Sequence, residues 1–549
     1  MATRIERLVL LGLDGATWTV LRPMIDRGIM PNLAALLRGS SHGILKSCIP
    51  PVTSAAWTTM QTGCGPARHG VFDHRYYDAK AGRMKVNHSG RIRVPTLWSL
   101  LSDAGRSVAV INLPGTYPPP DVRGVVVSGM DAPDLDAALG GSPTFADRLR
   151  REVPDYNLRF FWKRPPESLE ELREAVGHTT QAFEHRALAG LAADREVPDW
   201  SALMVQFQDL DPFQHRCWPL LNVDGTGLDR PEWNEEAWEV LRGLDRAIGI
   251  VCELAEKRGA SVIAVSDHGF GPCAGRIHVN RILIDAGLAR MPGRATRRWV
   301  LRMFVPFDRL RLWWEKSHRP DARSSSFEKS VAHEFPFDWK RTVAFAPHQD
   351  TAAMVYLHSE MRHPGCTAPI KTPRQLDDAC RSARQALAEA RHPETGRPLF
   401  PRVIGTAQDY GIDPAREDYP DLIALPDDPY WVRTRLSSGK AWVEPDPSLP
   451  GTHRPEGIIM VRAPGFAPGA KLSADLQDVT PTALDLLGEA IPAHIEGRSL
   501  ISGMDRPRQA IRIHQAAAPI AGPHRPDFDY SLQEQAVIEQ RLADLGYLE

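Results

Sequence analysis

The stretch LVLLGLDG, residues 8–15, decides the fold: an unbroken apolar run closes on an aspartate and a glycine. The run is far shorter than the ~20 residues needed to span a bilayer, and too short for a signal-peptide core with its cleavage site. It reads as a strand buried on both faces, the kind found inside a parallel sheet. Comparable runs recur at Val108 to Ile111, Val125 to Val127, Leu203 to Phe207 and Val262 to Val265, with later ones at Leu422 to Leu425 and Ile458 to Val461. Helical patterns lie between them: PNLAALLR from Pro31, the run from Trp233 to Arg258, and VTPTALDLLG at 479–488, with Asp478 as expected N-cap and Gly488 as terminator. This alternation predicts an α/β protein with a mainly parallel central sheet flanked by helices.

Composition narrows the class. The chain has 549 residues, 42% of them hydrophobic and 24% charged, the balance of an ordinary globular enzyme. Its formal charge of -2 supplies no global field for nucleic acid or an anionic membrane, so recognition of phosphate has to be local. Seven cysteines, an odd number without CxxC spacing, argue against a disulfide framework or a thiolate zinc site. A reducing, cytoplasmic setting without membrane insertion is expected. The predicted organisation is a catalytic core over 1–274, an inserted cap over 275–345, the second part of the core over 346–501, and a tail over 502–549. In the tail, Val537, Ile538, Leu542 and Leu545 fall at helical spacing. The cap is rich in Arg and Trp, with Arg294, Arg297, Arg298 and Arg302 beside Trp299, Trp313 and Trp314. These read as the solvated side of a helix and a small local core.

In open α/β sheets ligands gather at the carboxyl ends of strands. Four apolar runs have polar residues at or near such ends: Asp14 after LVLLGL, DLDPFQH (209–215) after LMVQF, SDHGFG (266–271) after VIAV, and GTH (451–453) shortly before GIIMV. A single Asp before Gly is usually a turn residue, and a single His is usually structural. Together, however, Asp14, Asp211, Asp267, His215, His268 and His453 offer three carboxylates and three imidazoles, a donor set suited to a pair of divalent ions. Such pairs assist displacement at phosphorus. A hydroxyl nucleophile is available in PPVTSAAWTTMQTGCGPARHG (50–70), where Thr53 or Ser54 opens a predicted helix that ends near Gly63. The bland reading of that hydroxyl, an N-cap, is reversed only by the metal context.

These pieces, with DVTPTALDLLGEAIPAHIEGRSL near the end, resemble in content and order the type I phosphodiesterase and nucleotide pyrophosphatase family of the alkaline phosphatase superfamily. The resemblance spans Leu11 to about Leu500 and implies an alkaline-phosphatase-like core. It implies that Asp14, Thr53, Asp267 and His268 hold one metal and Asp211, His215 and His453 the other. The ions would be zinc, with manganese an alternative. The interval from Thr53 to Thr62-Gly63 favours Thr53 over Ser54, and the four-residue step to His215 favours Asp211 over Asp209. The implied activity is two-step hydrolysis of a small phosphate ester through a phosphothreonine. Two departures from the nucleotide-hydrolysing pattern stand out. Ser54 and Ala55 replace a phenylalanine and proline, and His74, or its neighbour Asp73, stands near the position of a phosphoryl-binding asparagine. This weakens the expectation of nucleotide specificity and makes His74 a candidate substrate-binding residue. Arg276, His278 and Asn280 read either as pocket lining or as surface polar residues of a loop, and His69 as a support of its own loop; neither group reads as catalytic. A sulfatase is disfavoured because no CxPxR-like setting surrounds Thr53, whereas a phosphomutase, a phosphonate hydrolase, a phosphomonoesterase or a non-catalytic scaffold remains open.

Overall fold

The computed structural model describes residues 5–545 and 547, except 79–82, 224, 226, 293–336, 348–350, 363–365, 367, 414–418, 428–429, 435–441 and 502–527. The arginines and tryptophans of the expected cap at 294–314 therefore lie outside the described residues. The chain divides into two compact units: residues 1–74, 86–275 and 446–549 form the first, and 75–85 and 276–445 the second. The second unit thus extends a hundred residues past the expected cap boundary at 345. The reason lies in the strands beyond it, which pair with one another and not with the central sheet.

The first unit is built on a nine-stranded sheet. Its order is Lys471–Asp475, Ser41–Lys46, Glu456–Arg462, Ser261–Val265, Leu8–Leu13, Ala202–Phe207, Val108–Leu113, Gly124–Ser128 and Leu139–Gly140. The strand Leu8–Leu13 lies parallel between Ser261–Val265 and Ala202–Phe207. All six of its residues are buried, which is why it reads as a continuous apolar run with no alternation. Burying each Leu or Val side chain there contributes about 1.5–3 kcal/mol. Gly12 is required by close approach: a Cβ at that position would lie 2.8 Å from Met204 and Trp57 and 2.9 Å from Gln206. The strand Glu456–Arg462 runs antiparallel to both of its neighbours, so the sheet is mainly, not wholly, parallel. The edge strand Lys471–Asp475 and its inner neighbour Ser41–Lys46 carry too many polar residues to announce themselves as apolar runs.

Helices Pro31–Arg38, Leu169–Glu196, Pro231–Lys257 and Val479–Leu487 also belong to this unit. The carboxylate of Asp245, on the third of these, accepts from the backbone N–H groups of Asn32 and Leu33 and so satisfies the start of the first. Gly488 ends the last of them at φ +73° as expected. Asp478 occupies the N-cap position without capping, because its carboxylate instead accepts from the backbone N–H groups of Asp475 and Arg498. The tail helix, Leu532–Leu545, buries Ile538, Leu542 and Leu545. Val537 departs from the expected apolar face and is 45% exposed. No described helix is long and apolar enough to cross a membrane.

The second unit holds a four-stranded antiparallel sheet ordered Ala344–Phe345, Ala353–Leu357, Leu422–Leu425, Arg402–Gly405. The predicted strand Leu422–Leu425 is found here, outside the central sheet. Helix Pro373–Glu389 starts with a capping box between Thr372 and Gln375. A buried pair, Arg362 and Asp421, meets in two hydrogen bonds of 2.7 and 2.8 Å. His278 faces Glu444 at 3.1 Å, and the Asn280 amide donates to the carbonyls of Ala346 and Thr434, so both act in the framework of this unit.

Candidate functional site

Three neighbouring parallel strands of the first unit end at one place, and each delivers polar side chains immediately beyond its carboxyl end. Leu8–Leu13 delivers Asp14. Ala202–Phe207 leads into helix Leu210–Leu221, which places Asp211 and His215 one turn apart on the same face. Ser261–Val265 leads to Asp267 and His268. His453 arrives from far along the chain because Gly451–Arg454 pairs with Gly269–Pro272, setting His453 opposite Phe270. Two groups result, Asp14 with Asp267 and His268, and Asp211 with His215 and His453. The candidate ligand atoms in each group lie within 4.8 Å of one another, and either group could hold a metal ion. The two groups adjoin, with Asp211 Oδ1 3.9 Å from His268 Nε2.

Hydrogen bonding determines which atoms face inward. Nδ1 of His215 lies 2.9 Å from the carbonyl of Gly451, Nδ1 of His453 3.0 Å from that of Pro51, and Nδ1 of His268 3.1 Å from that of Gly269. A carbonyl only accepts, so each Nδ1 carries the proton and each Nε2 presents a lone pair to the centre. The Nε2 atoms of His215 and His453 then face one another at 3.0 Å, two acceptors with no proton between them. The carboxylates follow the same plan. Asp14 Oδ2 accepts from Trp57 Nε1 and Gln206 Nε2, both at 2.8 Å, and Asp267 Oδ1 accepts from the Gly15 N–H at 3.1 Å. Their other oxygens, Asp14 Oδ1 and Asp267 Oδ2, are buried and make no hydrogen bond among the described residues. Converging lone pairs and orphaned carboxylate oxygens are costly in a buried site unless a cation offsets them, so this donor set fits divalent ions.

Electrostatics agree. Burial, then the charges of Asp267 and Asp211, push the Asp14 carboxyl well above its usual range. Burial also raises Asp267, with Asp211 adding to the effect. Burial lowers His215 and His453 to about 3 and depresses His268 strongly, so the three imidazoles are neutral at physiological pH.

Thr53 is the first residue of helix Thr53–Thr62, which follows an extended Val52 and ends at Gly63 with φ +66°. The Thr53 side chain caps nothing. Its Oγ1 is buried and lies 3.4 Å from His268 Nε2, at the edge of the group that contains Asp14 and Asp267. The neighbouring Ser54 hydroxyl contacts His74 Nδ1 at 2.6 Å, which brings His74 beside the start of this helix. The Asp73 carboxylate accepts from the His74 N–H. His69 is fully buried between the Thr59 hydroxyl and the Val71 N–H and supports the loop, as its position suggested. Asp209 is buried away from both groups, and burial raises its carboxyl to about 6. Sequence reasoning missed Trp57, Gln206 and Tyr547, whose side chains hydrogen-bond the carboxylates of Asp14 and Asp211. Trp57 lies one turn from Thr53 and was within reach of a helical reading. Tyr547 had no local signal. All seven cysteines are free thiols.

The fold is a mixed α/β one of the alkaline-phosphatase-like kind, a mainly parallel central sheet flanked by helices. Residues 8–448 match the family model of type I phosphodiesterase / nucleotide pyrophosphatase, and the chain belongs to that family. Among solved structures, the fold is similar to that of phosphonoacetate hydrolase from Sinorhizobium meliloti 1021 in complex with phosphonoformate. That match has a TM-score of 0.53 and 17% identity, and covers 88% of this chain and 96% of that one. The phosphonoacetate complex of the same protein matches with a TM-score of 0.50 and 16% identity, over 88% and 96% of the two chains. Murine ectonucleotide pyrophosphatase / phosphodiesterase 5, in an inactive form with AMP, matches with a TM-score of 0.47 and 12% identity, over 89% and 96%. No curated protein matches the chain. Membership of the family makes this protein a hydrolase of phosphate esters in the broad sense.

Proposed function

We propose that the protein is a two-metal phosphodiesterase that works through a phosphothreonine at Thr53. One observation carries the reading: Thr53 Oγ1 lies 3.4 Å from His268 Nε2, beside two adjoining groups of buried carboxylates and imidazoles whose candidate ligand atoms converge. Asp14, Thr53, Asp267 and His268 would hold one ion, and Asp211, His215 and His453 the other. Bound divalent ions, zinc or manganese, would offset phosphoryl charge and favour the ionised form of the threonine hydroxyl.

The chain's own residues do the rest. The first turn of helix Thr53–Thr62, whose backbone N–H groups have no partner within the helix itself, would offer them to an incoming phosphoryl oxygen. The Thr53 hydroxyl attacks phosphorus in line and expels the alcohol, and water then cleaves the phosphothreonine. His74, steadied by Ser54, is placed to donate one hydrogen bond to a phosphoryl oxygen through its Nε2. With Ser54, Ala55 and His74 at positions that differ from the nucleotide-hydrolysing pattern, a small diester is the favoured substrate class and nucleotides are not.

Hydrolysis of bis-p-nitrophenyl phosphate, p-nitrophenyl phosphate and phosphonoacetate with zinc or manganese tests this. The diester should be cleaved best, and cleavage should vanish in Thr53→Ala and after chelation. Full activity in Thr53→Ala would overturn the assignment of the nucleophile. Turnover of phosphonoacetate alone would replace the diester reading with a phosphonate hydrolase.

A further inference from the structure

Each carboxylate of the site has one oxygen tied by a protein donor and one turned inward. For Asp14 the donors are Trp57 and Gln206, and for Asp267 the donor is a backbone N–H. For Asp211 the donor comes from the segment that follows the tail helix: the Tyr547 hydroxyl lies 3.0 Å from Asp211 Oδ2. We infer that Tyr547 is a positioning residue for the second metal position, its phenol donating to Asp211 Oδ2 so that Oδ1 stays turned toward His453 and His215. The inference rests on the two-metal reading of the site.

The geometry supports a dedicated contact over a chance one. Asp211 Oδ1 lies 3.0 Å from His453 Nε2 and 3.5 Å from His215 Nε2, so the oxygen opposite the phenol is the one that meets the imidazoles. The phenol has a single proton. It lies closer to the carboxylate, at 3.0 Å, than to His453 Nε2, at 3.4 Å, and a charged acceptor makes the stronger bond. Deprived of that donor, Asp211 would be free to rotate and share both oxygens, which changes the number and direction of bonds offered to an ion. Loss of a supporting group of this kind typically costs about 10–100-fold in metal affinity.

The residue is held in place from several directions. Its ring is buried, with its centroid 4.6 Å from that of His74 and 5.9 Å, edge-on, from that of His215. The backbone N–H of Tyr547 donates to the Leu542 carbonyl at 2.9 Å, turning the chain back after the helix ends. The helix itself is fastened to the first unit by buried Ile538, Leu542 and Leu545. Arg541 adds hydrogen bonds to the carbonyls of Met130, Ala132 and Pro133. Upstream, the Tyr530 hydroxyl donates to the Asp131 carbonyl at 2.8 Å. The tail is thereby a part of the site, since its docking sets where the phenol sits.

The test is Tyr547→Phe in the full chain, which keeps the ring against His74 and removes only the hydroxyl. Metal-free wild type and variant are titrated with zinc against a chromophoric chelator, and the thermal midpoint of each metal-free protein is recorded. One of the two zinc equivalents should weaken by about 10–100-fold while the other is unchanged and the metal-free midpoint barely moves. Identical affinities for both equivalents would overturn the positioning role and leave the two-metal reading standing. Failure of the wild type itself to take up a second equivalent would overturn both.

Discussion

Gln206→Met isolates the electrostatic support of a single proposed ligand. Gln206 is fully buried, and its Nε2 donates to Asp14 Oδ2 at 2.8 Å. Methionine has nearly the same length and volume, and Asn112 Nδ2, which donates to the Gln206 side chain at 2.9 Å, retains the backbone carbonyl of residue 206 at 3.2 Å. The substitution therefore deletes a donor with little loss of packing. A hydrogen bond to a charged acceptor is worth about 1.5–3 kcal/mol. Since about 1.4 kcal/mol is a factor of ten, metal affinity at the Asp14 position should fall by about 10–100-fold. Trp57 Nε1 remains as the second donor, which places the effect toward the lower end. There is a pH signature as well. Asp14 is already pushed well above the carboxylate range by burial, and losing a donor to its ionised form pushes it further. The variant's deficit should shrink as rising pH ionises the carboxyl in both proteins. Chelator-competition titrations at pH 7 and at a higher pH measure this. Equal affinity of wild type and variant at pH 7, or a deficit that grows with pH, would refute the reasoning.

Because the carboxyls of Asp14 and Asp267 are raised well above their usual range, a divalent ion competes with protons for them, while the imidazoles, already neutral, release none. Titration calorimetry in buffers of different ionisation enthalpy should show net proton release, and affinity should fall with falling pH; heats independent of buffer would contradict this. His69 lies away from the ligand groups and is lowered to about 3 by burial first and the Arg93 charge second. Its contribution to stability is therefore present above pH 6.5 and is lost as pH falls from there toward 3. The stability gap between wild type and His69→Gln in denaturant melts should narrow over that window. In the second unit, Arg362→Met leaves the Asp421 carboxylate buried without its partner and should cost about 3–5 kcal/mol. Zinc uptake by the first unit should survive that change, as a chelator titration would show.

Most of the candidate site was readable because its residues sit where parallel strands end, and buried parallel strands leave an unbroken apolar signature. Asp14, Asp267 and His268 follow such runs directly, and Asp211 and His215 share a helix face by simple i, i+4 spacing. His453 was visible only as a polar interruption before an apolar run, since the pairing of Gly451–Arg454 with Gly269–Pro272 is a long-range event. Tyr547 reaches Asp211 from 336 positions away, a distance over which sequence spacing carries no information. The outermost strand Lys471–Asp475 and its neighbour Ser41–Lys46 were hidden because strands at the margin of a sheet need not be apolar. The extent of the second unit was hidden for another reason. Its strands look locally like those of the core, and only their partners distinguish them.

The central claim is that Thr53 becomes covalently phosphorylated during turnover. Metal-loaded enzyme mixed rapidly with bis-p-nitrophenyl phosphate, quenched in acid and digested should yield the peptide containing Thr53 carrying a p-nitrophenyl phosphoryl adduct. That adduct should be missing in Thr53→Ala, and a burst of p-nitrophenol should accompany its formation. Steady turnover of the diester with an unmodified Thr53 peptide and no burst would contradict the account, and would point to direct attack by water at the same site.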